Sequence, residues 1–343
     1  MEDRNFNFII KYDELIGKGG LGNVYIAYNI NDDEPMKTKY AAKELPEQFQ
    51  DEEKLLYITN EIFSSLDFEN PNLVKFYGLT EYNDSIFMIY EYCNGGNLNE
   101  YLKEYYKKFN KGIGEKRIQK ILKDILNGLS SLHRNKVIHH NIKPANILLQ
   151  YETEKDKKDL NYKKCTFKLS DFGLSKLRDD NEAFYAVGTA TFMDPIISFF
   201  PQKEEFEEDK TDIWSIGILT YRMLFNNTHP FIANEIWKLN EQKQYLKNMK
   251  ENITNGNYYV NIHKYIVSKE ALCFLDSCLK LNHFDRKSSE DLEYTWFVSR
   301  NVSKFFFVHE DNFEKEIPNE YKGIMEIKFN INKSEKIEEY FNL

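Results

Sequence analysis

The sequence predicts an α+β chain in two lobes, a small β-rich lobe followed by a larger helical one. Three observations carry this. Short apolar runs broken by turn residues fill the chain up to Cys93. After Asn94-Gly95-Gly96 the apolar residues take up helical spacing. The chain is long, at 343 residues, and 41% hydrophobic, which is material for two domains or one large two-lobed domain.

The elements follow in order. Tyr25 and Ile26 lie in a strand after a glycine-rich turn, and Tyr40-Ala41-Ala42-Lys43 is a second short strand. Asn31-Asp32-Asp33-Glu34-Pro35 between them is a turn. Leu55, Leu56, Ile62 and Leu66 give Glu52 to Leu66 the spacing of a helix, which Asn70-Pro71-Asn72 ends. Leu73 to Phe76 and Ile86 to Tyr90 read as strands on either side of an Asn83-Asp84 turn. Leu98 to Tyr106 and Arg117 to His133 read as helices, the second with Ile118, Ile121, Ile125, Leu129 and Leu132 on one stripe. The charged stretch 151–164 predicts an exposed hairpin insertion. Helical spacing returns over Thr211 to Leu224 and Ser268 to Leu281. In the tail, Met325, Ile327, Phe329 and Ile331 alternate as in a half-buried strand, and Ser334 to Phe341 suits a short helix.

Charge and cysteine content exclude several classes. Lys plus Arg number 46 against 55 Asp plus Glu, a net of −9, so no nucleic-acid partner is expected. Four cysteines without a C-x-x-C pair argue against a disulfide scaffold or a zinc site and suit a reducing compartment. No apolar run approaches the ~20 residues of a membrane span. Met1-Glu2-Asp3-Arg4 lacks the basic start of a signal peptide. The expected location is cytoplasmic or otherwise intracellular, including the nucleus.

Chemistry begins at Gly17-Lys18-Gly19-Gly20-Leu21-Gly22, a G-x-G-x-x-G turn. Glycines let backbone N–H groups approach phosphate oxygens with no side chain in the way. A strand follows where a dinucleotide fold would have a helix, and the Walker pattern is absent. Ala41-Ala42-Lys43 comes next, then Glu61 before the Asn-Pro-Asn break, then Met88-Ile89-Tyr90-Glu91-Tyr92-Cys93. Val137 to Leu149 contains His139-His140-Asn141-Ile142-Lys143-Pro144-Ala145-Asn146. Asp171-Phe172-Gly173, Gly188-Thr189-Ala190-Thr191-Phe192-Met193-Asp194-Pro195, Asp212-Ile213-Trp214-Ser215-Ile216-Gly217 and Arg286 complete the series. In order and spacing these resemble the motifs of the eukaryotic protein kinase family over roughly residues 10–297. The Gly19-Gly20 loop and Met193-Asp194-Pro195 look closest to its tyrosine-kinase-like and receptor-like branch.

The resemblance implies the bilobal kinase fold, with an N-lobe over 10–93, a C-lobe over 94–297 and an extension over 298–343 whose role it leaves open. It implies ATP and Mg²⁺ as cofactors. Gly17, Gly19 and Gly22 would cover the phosphates, and Lys43, held by Glu61, would contact two of them. Ile16, Val24, Ala41 and Leu148 would enclose the adenine, and backbone groups of Glu91 and Cys93 would read its edge, with Tyr90 as gatekeeper. Asn146 and Asp171 would hold the metal through oxygen. Lys143 would meet the γ-phosphate.

The departures matter as much. Asn141 stands where the family has its catalytic aspartate. An amide can hold a hydroxyl but cannot take its proton, and losing a general base typically costs ~10²–10⁴ in rate. His140 replaces the arginine that pairs with a phosphorylated activation segment, and imidazole is a poor substitute for a guanidinium. So phosphorylation at Ser175, Tyr185, Thr189 or Thr191 is not expected to switch the protein by that pairing. Ile196 replaces the glutamate that pairs with the arginine matched by Arg286, leaving that charge in need of another partner. Ser65 is polar where the family packs an aliphatic residue. The expectation is a Mg·ATP-binding pseudokinase or strongly impaired Ser/Thr kinase, acting as a scaffold or allosteric partner of other proteins. The alternative is a slow Ser/Thr kinase in which His139, His140 or water replaces the base. A small-molecule phosphotransferase is disfavoured by the Thr189 segment and the Asp212–Gly217 motif.

Overall fold

The computed structural model describes residues 8–19, 22–33, 36–45, 69–171, 176–177, 191–194, 207–227, 229–231, 267–280 and 282–299. Glu61, Ser65, the 172–175 and 178–190 stretches, Ile196 and the tail beyond Ser299 lie outside the described residues, and so do the helix expected over 52–66 and both tail elements.

Five antiparallel strands form the N-terminal sheet: β1 (Phe8–Gly19), β2 (Gly22–Asn29), β3 (Tyr40–Glu44), β4 (Phe76–Tyr82) and β5 (Ser85–Glu91), in the order β1-β2-β3-β5-β4. The β1–β2 turn closes on a Gly19–Gly22 pair. Gly22 has φ +131°, and a Cβ there would lie 2.0 Å from the Glu44 carbonyl oxygen, so the close approach requires glycine. The β4–β5 turn has Asn83 at φ 49° and Asp84 at φ 61°, the doubly left-handed backbone that suits a two-residue hairpin. Phe8, Ile10, Ala27, Tyr40, Ala42, Phe87 and Ile89 bury one face of this sheet.

The strand expected from Leu73 begins only at Phe76. Leu73 instead makes an isolated parallel bridge to Leu169, and Asn72 binds the helical lobe. Its side chain donates to the Phe167 carbonyl at 2.9 Å and accepts from Asn127 Nδ2 at 2.7 Å. The apolar run there fastens one lobe to the other instead of extending the sheet.

The helical lobe is built on α1 (Leu98–Phe109), α2 (Glu115–Arg134) and α4 (Asp209–Leu224), with α5 (Lys269–Cys278), α6 (Ser289–Glu293) and α7 (Trp296–Ser299) below. Asn97 and Glu100 form a capping box at the start of α1. α2 buries the stripe seen in the sequence, from Ile118 to Leu132, within one large core. α4 is buried almost all round, Trp214 and Tyr221 included, which makes it the central post of the lobe. Between the lobes, Gly95 N–H donates to the Leu149 carbonyl at 2.7 Å, and a Cβ on Gly95 would lie 2.6 Å from Leu149 Cβ.

The insertion is not a plain hairpin. β7 (Ile147–Tyr151) and β8 (Cys165–Leu169) pair, but a short helix, α3 (Glu154–Asp159), sits between them. Thr153 caps its first turn, which is acidic, Lys157 and Lys158 close its last turn, and Leu160 ends it at φ 51°. Charge runs alone did not distinguish a helical tip from a turn. Two small pairings complete the described strands: β6 (Val137–Ile138) with β9 (Lys176–Leu177) is one, and β7 with β8 is the other. No described helix is long and apolar enough to cross a membrane.

Candidate active site

The sheet register lines up the residues expected around a nucleotide. Gly17 pairs with Val24 across β1 and β2, Val24 pairs with Lys43 on β3, and Lys43 pairs with Met88 on β5. Ala41, Cys93 and Leu148 pack in one apolar cluster with Val74, Met88 and Tyr90, although they come from β3, the segment after β5 and β7. Ile16 is exposed at the rim of the sheet. Burial, then the nearby Glu91 charge, pushes the Cys93 thiol up to about 12, so it stays a neutral packing group and no nucleophile. The Glu91 side chain is turned outward to Lys168 Nζ at 2.8 Å. Its own N–H donates to the Lys75 carbonyl at 2.9 Å.

Across the cleft, Asn141 is a hub. Its backbone carbonyl accepts from Asn146 Nδ2 at 2.9 Å, and its side-chain Nδ2 donates to Asp171 Oδ2 at 2.9 Å. The other carboxylate oxygen of Asp171 lies 3.5 Å from Lys43 Nζ. Both side chains expected at a metal are therefore held by Asn141, and one of them reaches Lys43 on the opposite lobe. Asp171 adopts φ 67°, a left-handed backbone that turns the carboxylate into the cleft. Among the described residues the buried amide oxygen of Asn141 has no hydrogen-bond partner. Asn146 and Asp171 offer hard oxygen donors, the chemistry a Mg²⁺ ion takes when phosphates and water complete its shell. Among the described residues no cluster of three His, Cys, Asp or Glu side chains makes a metal cage.

The two histidines before Asn141 are committed elsewhere. His139 is fully buried, its Nδ1 accepts from the Asn141 N–H at 3.2 Å, and its Nε2 faces the Ser170 carbonyl at 3.2 Å. Burial holds its pKa below the ordinary histidine value, so the ring is neutral and neither nitrogen is left for a substrate proton. The His140 ring turns to Thr211 Oγ1 at 3.3 Å on α4, and its backbone is left-handed at φ 58°.

Asp212, at the start of α4, explains that backbone. Its Oδ1 accepts from the His140 N–H and its Oδ2 from the His139 N–H, each at 2.8 Å. His133 Nε2 adds a contact at 2.9 Å, and His133 Nδ1 meets Ser289 Oγ at 3.0 Å. Burial pushes the Asp212 carboxyl up, but the hydrogen bond from His133 and the neighbouring imidazoles outweigh it and hold it below the usual carboxylate value. The ionised carboxylate thus fixes the strained loop that presents Asn141. Nothing in the sequence marked His133, because its partners are distant in the chain.

Arg286 finds the partner that Ile196 cannot supply. Its guanidinium makes a buried two-point pair with Asp194, two positions upstream of Ile196. Nε donates to the Lys280 carbonyl at 2.8 Å, one terminal nitrogen donates to the Lys210 carbonyl at 2.9 Å, and the group lies 5.0 Å from the Trp214 ring centre. The signal was present in the sequence as an acid inside the same motif, displaced by two residues. The segment before Asp194 is tied down as well. Ser215 Oγ donates to the Phe192 carbonyl at 2.8 Å, and His229 Nε2 reaches the Thr191 carbonyl at 3.0 Å.

A sheet carrying a glycine-rich turn and a cross-strand lysine, facing a loop that gathers an asparagine and an aspartate, is the arrangement of a protein-kinase-type fold. The protein kinase domain model matches residues 10–297, and the chain belongs to that family. It is 30% identical over 307 residues to a candidate serine/threonine-protein kinase, R517/R518, of Acanthamoeba polyphaga mimivirus, covering 83% of this chain and 62% of that one. It is 28% identical over 306 residues to human serine/threonine-protein kinase tousled-like 2, covering 84% of this chain and 36% of that protein. To serine/threonine-protein kinase CLA4 of Candida albicans it is 31% identical over 296 residues, covering 85% and 27%. The chain thus spans less than two thirds of the length of each of these relatives. Protein kinases as a family use ATP and Mg²⁺.

Proposed function

We propose that this chain binds Mg·ATP between its two lobes, and that it transfers phosphate to Ser or Thr hydroxyls of proteins weakly or not at all. On this reading it is a pseudokinase or strongly impaired Ser/Thr kinase that acts in signalling by holding or adjusting another protein. The observation that carries the reading is the Asn141 side chain, whose amide N–H donates to Asp171 at 2.9 Å.

Each residue has a task in this account. Gly17, Gly19 and Gly22 bring backbone N–H groups to the phosphates. Lys43, 3.5 Å from Asp171, would contact the phosphates. Val24, Ala41 and Leu148 enclose the base beside Ile16, and the backbone at Glu91 and Cys93 meets its polar edge. Asn146 and Asp171 would hold Mg²⁺, which would neutralise phosphate charge. Lys143 would meet the transferred group. An amide at Asn141 keeps an oxygen that can accept a hydrogen bond from a substrate hydroxyl, so orientation survives. The proton then has nowhere to go, because an amide is no base near neutral pH. His139 has both nitrogens engaged, which weighs against the slow-kinase alternative in which a histidine takes over.

The test is thermal unfolding with and without millimolar Mg·ATP. A ligand that binds only the folded state must raise the melting temperature, by an amount equivalent to about 2.7 kcal/mol at a hundred times Kd. The shift is expected for the wild type and should be mostly lost in Lys43→Met. No shift in the wild type would contradict nucleotide binding.

A further inference from the structure

Below the catalytic loop lies a cavity of about 640 Å³, of the size that takes a few side chains of a bound segment. One wall is Lys143 and Ala145, immediately after Asn141, and another is Phe192, close before the Asp194 anchor. The remaining wall comes from α1 and α4, so the cavity is continuous with the place where an acceptor hydroxyl would reach Asn141.

Its charge is one-sided. Lys103, Lys111, Lys143 and Arg222 line it, and no Asp or Glu does among the described residues. This occurs in a chain of net charge −9. Arg222 is held in place rather than trailing in solvent. Its guanidinium donates to Asn227 Oδ1, a neutral acceptor, and lies 4.9 Å from the Phe192 ring centre. Lys103 and Lys111 are exposed on the outer lip. The apolar floor of Leu219 and Met223 lowers the local dielectric, which strengthens attraction to an anion.

We propose that this cavity receives an acidic segment of the protein bound at the active site, with carboxylate or phosphorylated side chains beside the acceptor residue. The inference deepens the reading of the chain as a protein-directed kinase domain and rests on it for the identity of the partner. Aspartate and glutamate present carboxylates, and phosphoserine presents a phosphate. Both match a fixed guanidinium and two exposed ammonium groups.

The experiment measures binding directly, so it does not require phosphate transfer. Fluorescence anisotropy is recorded on the full chain with four labelled peptides in which alanine replaces the acceptor. Their flanks carry glutamates, phosphoserines, glutamines or lysines. The glutamate or phosphoserine peptide should bind at least about tenfold tighter than the glutamine peptide at low salt, with the lead shrinking at high salt. Whichever anionic peptide binds tighter identifies the source of the charge. Lys103→Glu/Lys111→Glu changes only exposed side chains and should remove most of the preference, and Arg222→Gln should weaken it independently. Equal binding of acidic and neutral peptides, preference for lysine, no binding by any peptide, or a ranking untouched by the variants would each overturn the proposal. The Mg·ATP melting shift, read on the same samples, separates failure of the nucleotide reading from failure of this one.

Discussion

Replacing Asp194 with alanine removes the carboxylate from a pair whose two side chains are both 0% exposed. The Lys210 and Lys280 carbonyls and the face of Trp214 still touch Arg286. Breaking a buried pair on one side usually costs about 3–5 kcal/mol, because an uncompensated charge is left inside. The two carbonyls and the ring soften that penalty, which places the expected loss near 3 kcal/mol. Arg286→Met should cost a similar amount by stranding the carboxylate. The double variant should cost clearly less than the sum, since it buries no lone charge. Urea unfolding of the four proteins measures this cycle. A loss below about 1 kcal/mol for Asp194→Ala, or strict additivity, would refute the claim that Asp194 replaces the absent glutamate.

Asn141→Asp puts a second carboxylate about 3 Å from Asp171, and Coulomb repulsion at that range is roughly 1–5 kcal/mol between the aqueous and partly buried limits. With Lys43 3.5 Å away and Asp171 30% exposed, the lower part of that range applies, so the metal-free variant should melt about 2 °C lower and recover with millimolar Mg²⁺; an unchanged melting point without metal would contradict the Asn141–Asp171 contact. His229 is pushed down to about 3 by burial, from 6.5. A histidine with a depressed folded pKa gives stability that is present above pH 6.5 and lost as the pH falls toward 3, so His229→Gln should flatten the acid limb of a stability–pH curve, and an identical limb would count against this.

Much of the architecture was legible because it rests on local chemistry. The Gly19–Gly22 closure, the Asn83-Asp84 turn and the α2 stripe each depend on residues near in sequence. Family membership was legible from the order of its motifs. What the sequence hid is set by distant contacts. Leu73 looked like strand and became an inter-lobe fastening because Leu169 and Phe167 lie beside it in space. The α3 turn in the charged insertion is not legible, because a run of charges suits a short helix and a turn alike. The set His133–Asp212–Ser289 joins residues far apart in the chain, so no spacing rule points to it. The Asn141 substitution was plain in the sequence. Its hydrogen bond to Asp171 was not, because only the fold brings the two loops together.

The most direct measurement of the central claim is transfer of labelled γ-phosphate from Mg·ATP to protein by the wild type and by Asn141→Asp. Lys143, Asn146 and Asp171 already surround Asn141 in the proposed site, so a restored carboxylate should raise transfer by roughly 10²-fold or more. The wild type should bind Mg·ATP yet transfer at the edge of detection. Equal rates in the two proteins, at a level typical of kinases, would contradict the account and show that another group accepts the proton.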